Sequence, residues 1–274
     1  MGIQKTIICV AGPTASGKSA RAIALAKELG GEVISVDSRQ VYKGLDIGTE
    51  KLPLEEMEGI PHHLIDIRSA SDPYSAADFA RDADTLINDM HERGVVPILA
   101  GGTHFYFETL IYGLPETEGP NHDYRAHLET LPLETLVSML QETDPRRAAT
   151  IDLQNPRRII RALEIVKAHG HVPERGEREA RYDVQWEIIN PERDVLRERI
   201  NTRLSTAFER GLIEEVVRVR EEVGDTRLTE LGLEYRIIGE YLREERDKES
   251  VIPALESKLW HYARHQRAWL KRLL

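Results

Sequence analysis

The stretch Thr6-Ile7-Ile8-Cys9-Val10-Ala11-Gly12-Pro13-Thr14-Ala15-Ser16-Gly17-Lys18-Ser19-Ala20-Arg21-Ala22-Ile23-Ala24-Leu25-Ala26 decides the fold. Its first six residues are apolar without helical period, as in a strand buried on both faces. From Ala20 the chain is rich in alanine and leucine and closes on Gly30-Gly31, a helix with a glycine stop. Between them Gly12-Pro13-Thr14-Ala15-Ser16-Gly17-Lys18-Ser19 has the spacing G-x-x-x-x-G-K-S, a loop whose backbone N–H groups cradle a phosphate chain. No carboxylate interrupts it, and the helix start adds partial positive charge. In this reading Lys18 neutralises terminal phosphate oxygens and the Ser19 hydroxyl sits on Mg²⁺. An ordinary glycine-rich turn is the competing reading, and a strand and a helix correctly placed on either side argue against it. What the phosphates belong to stays open here.

At 274 residues the chain has room for one large α/β domain, or for a domain carrying a small insertion. Hydrophobic content of 41% and charged content of 31% suit a globular protein, and no apolar run is long enough to span a bilayer. Met1-Gly2-Ile3-Gln4-Lys5 leads straight into the first strand, so no signal peptide is expected, and Gly2 lies too close to that strand to favour myristoylation. The single Cys9 falls inside the strand as a small hydrophobe. Disulfides and cysteine metal clusters are excluded, and a cytoplasmic setting follows. A net charge of −10 argues against blanket nucleic-acid binding, but counterion release depends on the charges at the contact, so a local basic surface remains open.

Residues 32–37 read as a second strand ending in Asp37, followed by a polar, glycine-bearing loop to Thr49. His62-His63-Leu64-Ile65-Asp66-Ile67 suggests a short strand, whose adjacent histidines would point to opposite faces, a poor arrangement for a metal. Ser75-x-x-Asp78 is a capping box, and Phe79, Ala83, Leu86, Ile87 and Met90 follow at helical spacing up to Gly94. Residues 95–100 form another buried strand, ending in Gly101-Gly102-Thr103. Strand–helix alternation predicts a parallel sheet covered by helices on both faces, with ligands at the carboxyl ends of its strands. Lys18, Asp37 and Thr103 lie at or just beyond such ends and can converge on one crevice.

Beyond residue 115 the texture changes. A break over 113–120 precedes helices without strands, at 133–143 and at 155–169, the latter with Asn155 as cap, Pro156 at the first helical position and Gly170 as stop. Ile159, Leu163 and Val166 make its apolar stripe. Arg157, Arg158 and Arg161 crowd another part of its surface, and like charges one turn apart suggest an anionic partner. Residues 170–182 read as a charged loop, and 183–189 return to a strand. Helices are expected at 192–210, at 212–223 with Gly224 as stop, at 233–243, and from Pro253 to the end. The last carries Arg264, His265, Arg267, Lys271 and Arg272 beside Trp260 and Trp269. The expected architecture is a P-loop α/β core, residues 1–115 and 184–274, interrupted by a helical insertion, 116–183.

A P-loop serves kinases, NTPases and other phosphate-handling enzymes. A hydrolytic NTPase should add an apolar strand ending in Asp to order Mg²⁺ and water, whereas the later strand here ends in Gly101-Gly102-Thr103. Asp37 is then a free carboxylate facing the phosphates. It suits a kinase substrate-binding acid, or a base for a nucleophile attacking a bound diphosphate ester.

The sequence resembles the tRNA dimethylallyltransferases, or isopentenyl transferases. The matching pieces are residues 12–19, Asp37-Ser38-Arg39-Gln40-Val41-Tyr42, Asp46-Ile47-Gly48-Thr49 and Pro61-His62-His63-Leu64-Ile65-Asp66. Further on come Gly101-Gly102-Thr103-His104-Phe105-Tyr106, Asn155-Pro156-Arg157-Arg158-Ile159-Ile160-Arg161-Ala162-Leu163-Glu164 and Glu214-Glu215-Val216, in the family's order over nearly the whole chain. The resemblance implies that the loop Gly12, Pro13, Thr14, Ala15, Ser16, Gly17, Lys18 and Ser19 holds dimethylallyl diphosphate rather than ATP. The acceptor it implies is N6 of the adenine on the 3′ side of the anticodon in tRNA. By motif, Asp37 is the general base, Thr14 and Arg203 assist the diphosphate, and Ser19 binds Mg²⁺. Asp37, Ser38, Arg39, Gln40, Thr103, Arg125, Gln154, Asn155, Pro156, Arg157 and Arg158 fall where the family contacts the anticodon stem-loop. The chain is expected to act as a monomer, away from membranes.

Glu234 stands before Tyr235 where the family usually has Gly, Phe105 where leucine is more common, and no zinc-finger extension follows the terminal helix. Two rivals stay open. A prenyltransferase of free adenine nucleotides would not need the arginine-rich insertion. A small-metabolite kinase would bind ATP in the loop and use Asp37 on an alcohol.

Overall fold

The computed structural model describes residues 5–114, 121–173 and 179–273. They form two compact units, Met1–Gly113 with Ala180–Leu274, and Leu114–Glu179. The first holds a five-stranded parallel sheet of β1 (Thr6–Ala11), β2 (Gly31–Val36), β3 (His62–His63), β4 (Val96–Gly101) and β5 (Asp183–Ile188), in the order β3-β2-β4-β1-β5. Ile7, Cys9, Val10 and Ala11 are fully buried, as the unbroken apolar run requires of a central parallel strand. Burial also pushes the Cys9 thiol pKa up, so it stays protonated.

Alternate strand residues serve opposite layers. Val10, Val33 and Ile98 pack on α1 (Lys18–Leu29) through Ala22, Leu25 and Ala26. Cys9, Ile34 and Leu99 face α2 (Ala76–Glu92) and α3 (His104–Tyr112), meeting Phe79, Ile87 and Phe107. The capping box on α2 is complete, with Ser75 and Asp78 each accepting the other's backbone N–H. The short strand expected over 62–67 is curtailed to two residues, which pair with Val33 and Ile34. Leu64 and Asp66 adopt φ of 61° and 55°, so the chain turns out of the sheet there. The adjacent histidines are hydrogen-bonded rather than idle, His63 Nε2 to Glu32 at 2.7 Å and His62 Nδ1 to the Ile60 carbonyl at 2.8 Å.

In the second unit α4 (His122–Glu129), α5 (Leu133–Thr143), α6 (Pro145–Ala148) and α7 (Pro156–His169) enclose their own core of Leu128, Leu136, Leu140, Ile159 and Leu163. Asn155 caps α7 by accepting the Arg158 N–H at 3.2 Å, and Gly170 ends it at φ 80°. The break over 113–120 and the loop over 170–182 fall partly outside the described residues. Residues 180–183, assigned to the insertion from sequence, belong with the sheet. Tyr182 is buried among its apolar residues, and Asp183 pairs with Thr6.

The first unit closes with α8 (Arg193–Glu209), α9 (Leu212–Leu228), α10 (Leu233–Leu242) and α11 (Lys248–Leu270). They share a core with Val41, Tyr42 and Leu45 from the segment after β2. Gly224 ends the first helical stretch of α9 as expected, with non-helical φ of 73° and ψ of 170°, and a second short stretch follows it to Leu228. The terminal helix starts before Pro253, because Asp247 caps it by accepting the Ser250 N–H at 2.8 Å. Pro253 then lies within the helix, where its missing N–H forgoes one backbone bond. Among the described residues no helix is long and apolar enough to cross a membrane.

Candidate active site

β1 releases the chain into residues 12–19 at the carboxyl edge of the sheet. Ala15 and Gly17 take φ of 59° and 92°, left-handed values that let successive N–H groups turn toward one concavity before α1 begins. A Cβ on Gly12 would sit 2.7 Å from the Ile189 carbonyl and 2.5 Å from Ser16 Oγ, so only glycine fits. Lys18 Nζ donates to the Pro13 carbonyl at 3.3 Å, and Arg199 of α8 donates to the Ser16 carbonyl at 3.2 Å. Burial lowers the Lys18 pKa, while Asp37 and Glu50 oppose that shift and Arg203 adds to it. The Ser16 hydroxyl is buried with no hydrogen-bond partner among the described residues. An orphaned donor in such a loop is what a phosphate oxygen would satisfy.

Thr14 and Arg203, far apart in sequence, are brought together: Arg203 Nη1 donates to Thr14 Oγ1. The same guanidinium pairs through Nε with Glu50 and through Nη2 with Glu234 at 3.4 Å. Asp37 follows β2 and turns its own chain. Its Oδ1 accepts the N–H groups of Arg39 at 2.8 Å and Gln40 at 3.3 Å, leaving Oδ2 without a hydrogen bond among the described residues. Thr103 stands beside it, its Oγ1 accepting the Ser38 N–H at 3.3 Å. Gln40 is engaged within the fold, accepting from Ser35 Oγ at 2.8 Å and donating to the Thr49 carbonyl at 3.1 Å.

Two supporting residues were given no role in the sequence reading. Gln266 of α11 accepts the Thr14 N–H at 3.0 Å and donates to the Gly102 carbonyl at 2.9 Å, joining the loops after β1 and β4. Glu215 of α9 accepts the N–H groups of Asp46, Ile47 and Gly48 at 2.9, 2.8 and 2.9 Å, and the Tyr235 hydroxyl at 2.7 Å. A Cβ on Gly48 would strike the Tyr235 ring at 2.9 Å, which explains the glycine in Asp46-Ile47-Gly48-Thr49. The signal available in sequence was only that blocks 46–49 and 214–216 both match one family. Nothing in their spacing said that they touch.

Within the second unit, Arg125 makes a two-pronged pair with the buried Glu164, at 3.0 and 2.7 Å, and Arg161 joins it at 3.5 Å. These guanidinium groups hold the Glu164 carboxyl below its ordinary pKa against the cost of burial. Arg158 approaches Asp152 at 3.9 Å on the surface. Arg157 and Gln154 are exposed, Asn155 is spent on its cap, and Pro156 opens the helix. The arginine face therefore contains acidic partners as well as charge.

Mg²⁺ takes oxygen ligands, keeps several waters and is commonly held by one or two protein groups plus substrate phosphates. Ser19 offers a half-buried hydroxyl in the first turn of α1. Among the described residues no three acids, histidines or cysteines cluster as a metal cage. That donor set fits an ion carried with a phosphate ligand.

A parallel sheet with a glycine-rich G-x-x-x-x-G-K-S loop after the interior strand β1, and a carboxylate after β2 on the far side of β4, has the form of a P-loop α/β enzyme. The sequence model of the IPP transferase family matches residues 40–273. The chain is 43% identical to the tRNA dimethylallyltransferase of Thermomicrobium roseum, covering 100% of this chain and 85% of that one. It is 38% identical to the tRNA dimethylallyltransferase of Halalkalibacterium halodurans, over 98% of this chain and 89% of that one. The full-length tRNA isopentenylpyrophosphate transferase structure from Bacillus halodurans superposes with a TM-score of 0.73 at 39% identity, over 98% of this chain and 87% of that one. A eukaryotic dimethylallyltransferase acting on tRNA superposes with a TM-score of 0.83 at 30% identity, over 97% of this chain and 70% of that one. The chain belongs to the IPP transferase family.

Proposed function

We propose that this protein transfers a dimethylallyl group from dimethylallyl diphosphate to N6 of the adenine 3′ to the anticodon in tRNA. The observation that carries this reading is the pairing of a phosphate loop with an open carboxylate oxygen. Lys18, the orphaned Ser16 hydroxyl and the Arg203–Thr14 pair ring the loop, while Asp37 Oδ2 stands free beyond β2. The names of the relatives supply the allyl group and tRNA.

The allylic C1–O bond breaks toward the diphosphate as the C1–N6 bond forms, and the N6 proton passes to Asp37 Oδ2. Charge gathering on the leaving diphosphate is met by the Lys18 ammonium, the backbone N–H groups of residues 12–19 and the Arg203 guanidinium, all fixed before reaction. Ser19 would hold Mg²⁺, which would supply further positive charge for the leaving group. An adenine amine is weakly nucleophilic, so a carboxylate in hydrogen-bond reach helps as its proton becomes acidic. A loop base must leave its stack to reach such a crevice, and we assign the grip on the anticodon stem-loop to Arg157, Arg158 and their neighbours in the second unit. One chain supplies Lys18, Asp37 and Arg203, so a monomer suffices, working in the cytoplasm where its substrate is.

Incubation with labelled dimethylallyl diphosphate and either an unmodified anticodon stem-loop or AMP, followed by nucleoside analysis, tests the reading. Label in the stem-loop adenosine alone supports it. Equal or better use of AMP would discard tRNA as acceptor, and phosphate transfer from ATP would discard prenyl transfer.

A further inference from the structure

Arg203 is ringed by carboxylates before any ligand arrives. Glu50 takes Nε, and Glu234, in the first turn of α10, takes Nη2 at 3.4 Å. Glu234 is only 8% exposed, and Glu215, the other glutamate buried on these helices, accepts three backbone N–H groups. Glu234 has no such set. Its one side-chain partner among the described residues is Arg203. The groups facing it are Arg203 from α8, Glu50 from the turn after Gly48, Asp37 from the end of β2, and Tyr262 from α11. Two acids thus share one guanidinium, with Asp37 nearby, at the mouth of a loop built for a diphosphate.

An incoming diphosphate brings at least two further negative charges to the same guanidinium, and it cannot be paired with all of them. Of the two acids paired with Arg203, Glu234 is the less able to keep its charge once Arg203 turns away, because water cannot replace the lost partner. We propose, on the reading of residues 12–19 as a diphosphate cradle, that Glu234 is a proton-linked gate on Arg203. Ionised, it holds the guanidinium back from the diphosphate, and protonated, it releases it. Binding of the diphosphate is therefore coupled to proton uptake at Glu234. Burial already raises its pKa, with Glu50 and Asp37 adding to the effect and Arg203 opposing it.

Calorimetry with inorganic pyrophosphate and Mg²⁺ tests this on the wild-type protein and Glu234→Gln, from pH 6 to pH 8.5. The ratio of the two Kd values at each pH cancels the ionisation of pyrophosphate itself. The gate predicts that the ratio moves toward one as the pH is lowered and Glu234 takes up its proton. It predicts about tenfold tighter binding by Glu234→Gln at pH 8.5, the effect of a one-unit linkage. Glu234→Ala, which keeps the charge off and suits a helix, carries the same test should the glutamine variant not fold. A flat ratio, or weaker binding by the variants at every pH, would overturn the gate and leave Glu234 a fixed support. Folded proteins that bind no pyrophosphate at any pH would overturn the diphosphate reading, and the gate with it.

Discussion

Gln266 on the terminal helix accepts the backbone N–H of Thr14, in the glycine-rich loop after β1, at 3.0 Å. Its other amide atom donates to the Gly102 carbonyl at 2.9 Å, so one buried side chain fixes the spacing between the loops after β1 and β4. Gln266→Leu keeps the volume and removes both bonds. A buried group left unsatisfied costs about 1–3 kcal/mol, and that range is the expected loss in chemical denaturation. Pyrophosphate binding should weaken with it, because Thr14 loses the anchor that presents it to Arg203. Unchanged binding in a destabilised variant would confine Gln266 to a packing role.

Glu215 makes the stronger demand. It is 1% exposed and is the shared acceptor for three backbone N–H groups and the Tyr235 hydroxyl. Glu215→Ala leaves all four donors facing an apolar gap. At about 1–3 kcal/mol for each buried group, a loss of roughly 3 kcal/mol or more is expected in the denaturation midpoint. Segment 46–49 should also gain amide hydrogen exchange ahead of the sheet.

How far the chain could be read from its letters depended on the range of each interaction. β1, the glycine-rich turn and α1 were legible because strand, turn and helix are local and each has its own signal. The same holds for α5, with its bounds, and for the Ser75 and Asn155 caps. α3, α4 and α6 were not foreseen: α4 and α6 are short, and α3 follows directly on a strand end. Pro253 suggested a helix start, yet the cap at Asp247 outweighs one missing N–H. At the site, Asp37 and Lys18 could be placed near one another from strand ends alone. The Arg203–Glu234 and Gln266–Thr14 contacts join segments tens to hundreds of residues apart, and no periodicity encodes them.

Asp37→Asn preserves the turn, since an amide oxygen can accept the Arg39 and Gln40 N–H groups that Oδ1 now accepts. It removes the proton acceptor. Positioned bases contribute roughly 10²–10⁴-fold, so single-turnover prenyl transfer should fall by about that factor, with pyrophosphate affinity little changed. A near-normal rate would move the base elsewhere.

Acid stability should carry the signature of Glu32. Arg93 donates to it at 2.8 and 3.1 Å and His63 lies at 2.7 Å, and these partners, Arg93 foremost, hold its carboxyl down at about 2 against an ordinary 4.5. A depressed carboxylate stabilises the fold above its unfolded pKa and loses that contribution as pH falls through the folded value. The contribution, roughly 3 kcal/mol at most, should therefore be present above pH 4.5 and drain away toward pH 2. Urea midpoints measured across that window should fall less steeply for Glu32→Gln than for the wild type.

Arg125 and Arg158 both fall where the family resemblance implies RNA contact, but their surroundings separate them. Arg125 pairs through two nitrogens with a carboxylate that is itself buried, while Arg158 meets an exposed Asp152 at 3.9 Å. Removing one member of a buried pair strands a charge, whereas an exposed pair contributes about 0–1 kcal/mol. Arg125→Ala should therefore act on the second unit's stability, by about 2 kcal/mol given that Arg161 stays beside Glu164. Arg158→Ala should leave stability within about 0.5 kcal/mol. If it contacts a backbone phosphate, its loss should raise KM for tRNA and lower the slope of log affinity against log salt by about one. Pyrophosphate binding should be unaffected in both, since it belongs to the other unit. Stability measured beside salt-dependent tRNA binding sorts the two, and an unaltered salt slope in Arg158→Ala would remove Arg158 from the RNA contact.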